Sequence, residues 1–281
     1  MKVAVGLKKA ELIKDTEYLR FLKQVGVTHV IGFMPDKDVL PSAEYGYWSE
    51  DDLCSMVRHY NDNGLEVEGI ENFLPHHWHK ILLDHPGKDK QLENLKRTIT
   101  AMGKAKIPIM GYNFSVGGVI GRHSMPYGRA GAFVDAFNPE ELPYDDSPIP
   151  SSMAWGRVVE PDAKGFHPEV SREEMKQRLY WFLEQILPVA ADANVRMAAH
   201  PEDPPIPVMR HAGRVLINTE AYDEMFEKFQ TPYCAIEFCQ GTFTEMGVDI
   251  YKTIEHFAKQ DRIGYVHLRN VRGKVPNYSE V

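Results

Sequence analysis

The chain has 281 residues and a net charge of −8, with 32 lysines and arginines against 40 aspartates and glutamates. That length fits one α/β barrel, for which about 250 residues is typical, and 43% hydrophobic residues can fill a large core. The acidic balance and the lack of a Lys/Arg-rich run argue against a nucleic-acid or anionic-membrane surface, and no apolar run reaches the roughly 18 residues of a membrane span.

Met1-Lys2-Val3-Ala4-Val5-Gly6-Leu7 is followed at once by Lys8 and Lys9, too short an apolar stretch for a signal peptide, and Val3–Val5 reads as a first strand. A helix is expected near Ala10–Val25, and Gly26 then opens a second strand, Thr28–Phe33. Ser49 caps a helix near Glu50–Asn63, with Asp51 and Asp52 in its first turn. Gly64 ends it before a third strand, Leu65–Ile70. A helix near Lys88–Lys104 leads through Pro108 into a fourth, Ile109–Phe114.

From about residue 115 to 170 the rhythm breaks into Gly, Pro, Ser and Asp without a helical period. So long an irregular insertion is usually a binding loop or lid. Asp145 and Asp146 within it read as solvated. Ser171 with Glu174 forms a capping-box pattern for a long helix, Glu173–Ala193. The fifth strand is Val195–Ala199, a helix near Glu220–Phe229 precedes the sixth, Tyr233–Phe238, and a helix near Asp249–Lys259 precedes the seventh, Ile263–Leu268. Short β-branched runs alternating with amphipathic stretches predict βα units around a parallel sheet. The expected fold is a single α/β domain over residues 1–281, a TIM (β/α)8-type barrel whose last βα unit is absent from the chain, since an open seven-strand sheet would leave edges exposed.

Cys54, Cys234 and Cys239 are an odd, scattered set, which argues against a disulfide framework and for a reducing compartment, read here as the cytoplasm. Reactive groups of such barrels sit at the C-terminal ends of strands. There the fifth, sixth and seventh strands end in His200, Cys239 and His267. Neighbouring strands lie about 4.8 Å apart, so the three side chains can converge on one ion. An imidazole–thiolate–imidazole set suits Mn, Fe or Zn rather than Mg or Ca, and a fourth ligand, a carboxylate, is expected on the eighth strand. A lone His or Cys at such a place is more often structural, but three on consecutive strand ends point to a metal.

By strand alternation Glu237 shares the face of Cys239, Arg269 that of His267, and Cys234 the opposite face from Cys239. An arginine beside a metal suggests an anionic substrate. With no phosphate-binding or dinucleotide fingerprint, a sugar acid fits better than a nucleotide. His76-His77-Trp78-His79 follows the third strand at a loop and helix start and reads as a solvated or substrate-facing wall. Glu71 reads equally as an active-site carboxylate or a helix cap.

Four segments resemble the mannonate dehydratase family: Gly111-Tyr112-Asn113-Phe114, Arg196-Met197-Ala198-Ala199-His200-Pro201-Glu202-Asp203-Pro204-Pro205, Cys239-Gln240-Gly241-Thr242 and His267-Leu268-Arg269. The resemblance implies a TIM barrel using Mn2+ or Fe2+ to convert D-mannonate to 2-keto-3-deoxygluconate and water, a step of hexuronate breakdown. It implies metal ligands at His200, Cys239 and His267 and substrate contacts at Asn113, Arg122 and Arg269; the reading of the residues themselves adds His77 as a substrate contact and Arg269 and Glu71 as catalytic candidates. Partners are then a small sugar acid, with neither nucleic acid nor membrane, and self-association into a homo-oligomer is left open.

The chain departs from the family pattern at its N-terminal segment, at Ser115-Val116 and Val119-Ile120, and at Glu202, where aspartate is usual; the family's C-terminal Asp-His pair has no counterpart. These departures bear on which sugar acid is used. The alternatives are a metal-dependent sugar isomerase or epimerase on the same barrel, and a catalytically inactive sugar-acid-binding relative; the thiolate favours the dehydratase.

Overall fold

The structure is a computed structural model that describes residues 2–7 and 15–281. The expected helix near Ala10–Val25 is described from its N-cap Asp15 onward, and the expected residues 10–14 lie outside the described residues. The chain forms two compact units, one of residues 1–112 and 182–197, the other of residues 113–181 and 198–281.

In the first unit the elements are β1 (Ala4–Leu7), α1 (Thr16–Gln24), β2 (His29–Phe33), α2 (Glu50–Asp62), β3 (Glu66–Glu71), α3 (Pro75–Leu83), α4 (Lys88–Lys104) and β4 (Ile109–Tyr112). The four strands stand in chain order and pair in parallel, with Gly6 beside Ile31, Gly32 beside Ile70 and Ile70 beside Met110. All four residues of β4 are buried, as parallel strands covered on both faces require. Ser49 caps α2 by accepting from the Asp52 amide at 3.2 Å. The core of this unit is aromatic: Trp48, Phe73, Trp78, Tyr112 and Phe182 pack ring to ring at 5.4–6.4 Å.

The histidine cluster lies inside α3, which Pro75 opens at a first-turn position where no backbone donor is missed. Neither His77 nor His79 is solvated, which corrects the solvated reading. Packing behind Trp48 buries His77, and its Nε2–H donates to the Ala43 carbonyl at 2.8 Å.

The second unit continues with β5 (His123–Met125), β6 (Val134–Phe137), β7 (Met153–Ala154) and β8 (Arg157–Val158). There follow α5 (Arg172–Ala193) and β9 (Arg196–Ala199), each of which crosses from one unit to the other. Then come β10 (Val208–Met209), β11 (Ala212–Gly213), α6 (Thr219–Lys228), β12 (Cys234–Cys239), α7 (Gln240–Glu245), α8 (Ile250–Lys259), β13 (Ile263–His267), β14 (Val271–Lys274) and β15 (Asn277–Glu280). Strands β9, β12 and β13 are neighbours in that order. The Ser171/Glu174 capping box forms as expected, with the Glu174 carboxylate on the Ser171 amide at 2.8 Å.

The stretch expected to be irregular from 115 to 170 has no α-helix, only a single 3-10 turn at Arg129–Gly131, but holds the short strands β5 to β8. Strands of two to four residues carry too few alternations to stand out in sequence. β5 and β6 join β15 and β14 in an antiparallel sheet of order β14-β15-β6-β5. Phe137, Met209, Val271 and Tyr278 form the small apolar core beneath it. Among the described residues no helix is long and apolar enough to cross a membrane.

His77 sets a pH dependence for the first unit. Burial first, and the neighbouring His76 charge, lower its pKa to about 4 against the Ala43 hydrogen bond. Between pH 6.5 and 4 the unfolded chain binds this proton and the folded chain does not, so stability falls as pH drops through that window, by an amount on the order of 3 kcal/mol. Urea unfolding across this range should show the fall, and His77→Phe should flatten it. An unchanged slope in the variant would contradict the assignment.

Candidate metal centre

Cys239 and His267 are register partners on the adjacent parallel strands β12 and β13, so the two side chains leave the sheet side by side. His200 follows β9, and its ring lies 5.5 Å from that of His267. One donor atom each from His200, Cys239 and His267 lies within 4.8 Å of the others. The three residues expected to converge do converge.

The surroundings suit a cation. The His200 Nδ1 lies 2.6 Å from the Pro201 carbonyl, which as an acceptor fixes a proton on Nδ1 and leaves Nε2 as the nitrogen a metal would take once its own proton is lost. The buried Glu237 carboxylate stands 3.0 Å from His267 Nε2. Burial alone would lower the His200 pKa, but Glu237 and the Cys239 sulfur outweigh it and push the imidazole up to about 9. Burial would likewise raise the Cys239 thiol. Hydrogen bonds from His200 and His267, with the charges of His200 and Arg269, hold it well below the usual thiol range. A thiolate flanked by two imidazoles is a donor set for a first-row transition ion, so the residues present fit such a metal.

Behind the sulfur lies a network that the sequence did not show. The Thr242 hydroxyl donates to Cys239 Sγ at 3.1 Å, and Arg269 Nε donates to the same sulfur at 3.4 Å. Arg269 also donates to Asp203, Thr242, Glu245 and Glu280 at 2.7–2.9 Å. Asp203 further accepts from the Tyr278 hydroxyl at 3.0 Å and from Arg122 at 3.3 Å. Burial raises its carboxyl, but Arg122, Arg269 and His200 bring it below the ordinary aspartate value. Glu245 goes the other way, pushed up to about 8 by burial first and by Asp203 second.

The remaining expected site residues fall as follows. Arg122 is paired with Asp203, with Asp135 at 3.1 Å and with Glu280 at 3.6 Å. Asn113 is buried, accepting from Trp155 Nε1 at 3.0 Å and donating to the Pro201 carbonyl at 3.3 Å. Glu202 is not open to a ligand. It is buried against Arg214 at 2.8 Å, and Arg214 also holds the carbonyls of Gly118, Asp203 and Pro204, so the glutamate at this position secures the loop after β9. Glu71 ends β3 and His77 lies within α3, both in the first unit.

Glu245, Tyr278 and Glu280 were missed. Thr242 and Glu245 lie three apart on α7, and Tyr278 and Glu280 two apart on β15, spacings that put each pair on one face. That periodicity was the available signal, but α7 has six residues and β15 four.

Gly241 has no room for a side chain, since an added Cβ would stand 2.7–2.8 Å from three atoms of Arg269. Gly241→Ala should therefore push the guanidinium off the sulfur and cost about 1–3 kcal/mol in stability, together with metal retention. Wild-type metal content and melting behaviour in that variant would contradict the packing described.

The D-mannonate dehydratase (UxuA) family model matches residues 12–147 and 150–280. A mannonate dehydratase of Thermotoga maritima is 27% identical over 92% of this chain and 74% of its own length, and that of Geobacillus thermodenitrificans 28% identical over 92% and 72%. The crystal structure of mannonate dehydratase from Streptococcus suis superposes with a TM-score of 0.81 at 25% identity, covering all of this chain and 76% of that one. A xylose isomerase domain protein from Planctomyces limnophilus, 11% identical with a TM-score of 0.56 over all of this chain and 80% of that one, shares the fold alone. The fold is α/β of the TIM-barrel type, and the chain belongs to the D-mannonate dehydratase family.

Proposed function

We propose that the chain is a metal-dependent hydro-lyase that removes water from a sugar acid, D-mannonate being the substrate named by its family, to give 2-keto-3-deoxygluconate. The observation that carries this reading is the convergence of His200, Cys239 and His267, whose donor atoms lie within 4.8 Å of one another. Mn2+ or Fe2+ is the proposed ion. When bound it would act as a Lewis acid, polarising oxygens of the sugar acid.

The reaction balances without an outside reagent. The hydrogen on the carbon beside the carboxylate and the hydroxyl of the next carbon leave together as water, and the enol left behind becomes the 2-keto acid. Arg122 is proposed to meet the substrate's carboxylate, because its partner Asp135 is the exposed member of its ion pairs, with 42% of its side chain accessible, and can exchange for another carboxylate. Glu245, held protonated near neutral pH, keeps the charge around Asp203 and Arg269 from becoming excessively negative. The three free cysteines support a reducing compartment, and the cytoplasm is the proposed location.

Purified protein loaded with Mn2+ or Fe2+ should form a 2-keto acid from D-mannonate. Cys239→Ser should lose metal by about 10–100-fold in affinity, with turnover falling alongside. Isomerised sugar without keto acid would favour the isomerase or epimerase chemistry that this barrel also hosts. Equal metal content and rate in Cys239→Ser would overturn the role given to the thiolate.

A further inference from the structure

We propose that Arg269 is a positioning residue for the Cys239 sulfur, acting through its own contact and through Thr242, and not a clamp for the substrate's carboxylate. The inference rests on the reading of Cys239 as a metal ligand.

The guanidinium has five N–H donors in a fixed fork. Its Nε–H is spent on Cys239 Sγ at 3.4 Å. Nη1 reaches Glu280 at 2.7 Å, and Nη2 reaches Glu245 at 2.7 Å, Asp203 at 2.8 Å and the Thr242 hydroxyl at 2.9 Å. The Thr242 hydroxyl has one hydrogen. It accepts from Arg269 and donates to the sulfur at 3.1 Å, so charge from Arg269 reaches the sulfur by two routes.

Two carboxylates, the Glu245 carboxyl, a hydroxyl and the sulfur on one guanidinium leave its plane no freedom to swing toward a ligand. Gly241 supplies a seat for it, because any larger residue would place a Cβ within 2.8 Å of Arg269 Cγ, Nε and Cζ. The sulfur is thereby held from behind by two donors, while His200 and His267 flank it. An arginine that meets an incoming carboxylate would instead keep part of its fork on an exposed partner that can exchange, as Arg122 does with Asp135.

The test uses cobalt(II) as an optical probe in the full chain. Wild type should show a near-ultraviolet sulfur-to-cobalt charge-transfer band that Cys239→Ser abolishes. Arg269→Lys keeps the positive charge but has one nitrogen for five acceptors, and Thr242→Val removes only the hydroxyl relay. Both should shift or weaken the band and loosen cobalt by about 10–100-fold, while the KM for D-mannonate stays within about threefold of wild type and kcat falls. The proposal is overturned if the band and cobalt affinity of Arg269→Lys match wild type and KM rises about tenfold or more, the signature of lost substrate binding. It is equally overturned if Thr242→Val leaves the band unmoved. Identical cobalt spectra in wild type and Cys239→Ser overturn the ligand reading itself, a result that no behaviour of Arg269→Lys can imitate.

Discussion

A single guanidinium charge, that of Arg269, is set against buried Asp203 and Glu245, against Glu280 and against the sulfur of Cys239. Removing one partner of a buried ion pair costs about 3–5 kcal/mol, far more than an exposed pair contributes. The elements that supply the partners are therefore tied to one another. Asp203 comes from the loop after β9, Glu245 from α7 and Glu280 from β15. α7 is anchored by Phe243 among Phe238, Tyr222 and Phe257, whereas the small cluster of Phe137, Met209, Val271 and Tyr278 gives the sheet that holds β15 modest hydrophobic support. Tyr278 belongs to both this cluster and the charge network, with its ring in the one and its hydroxyl on Asp203.

This charge balance reaches the candidate metal centre through the sulfur. A thiolate buried among apolar groups would be unfavourable, because desolvation alone raises a thiol's pKa, as it does for Cys234, pushed up to about 12 in the same strand. Cys239 differs only in its neighbours. Two imidazoles, a hydroxyl and a guanidinium surround it, and the comparison of two cysteines five residues apart on β12 isolates what those neighbours do.

Much of this was legible in the sequence. The seven parallel strands fall within one or two residues of the expected runs, because buried parallel strands are continuous apolar segments bounded by Gly or Pro. The convergence of His200, Cys239 and His267 was legible for the same reason: strand ends can be located, and Cys239 and His267 prove to be register partners. The α3 helix was read as a loop and helix start because its run of three histidines and a tryptophan has weak helical periodicity, whereas in the fold burial of Trp78 and His77 decides the matter. The two short segments that complete the Arg269 network, α7 and β15, are too brief for periodicity to detect. Glu202 shows the opposite limit. Its place in the motif was visible, but only the structure shows its carboxylate turned inward onto Arg214.

The central claim, one cation held by two imidazoles and a thiolate, is tested most directly by diffraction from crystals soaked in manganese, with data collected at the metal's absorption edge. The account predicts one anomalous peak within bonding distance of a nitrogen of His200, the sulfur of Cys239 and a nitrogen of His267. A peak bound elsewhere in the chain, or these three side chains left without metal in an otherwise ordered crystal, would contradict it.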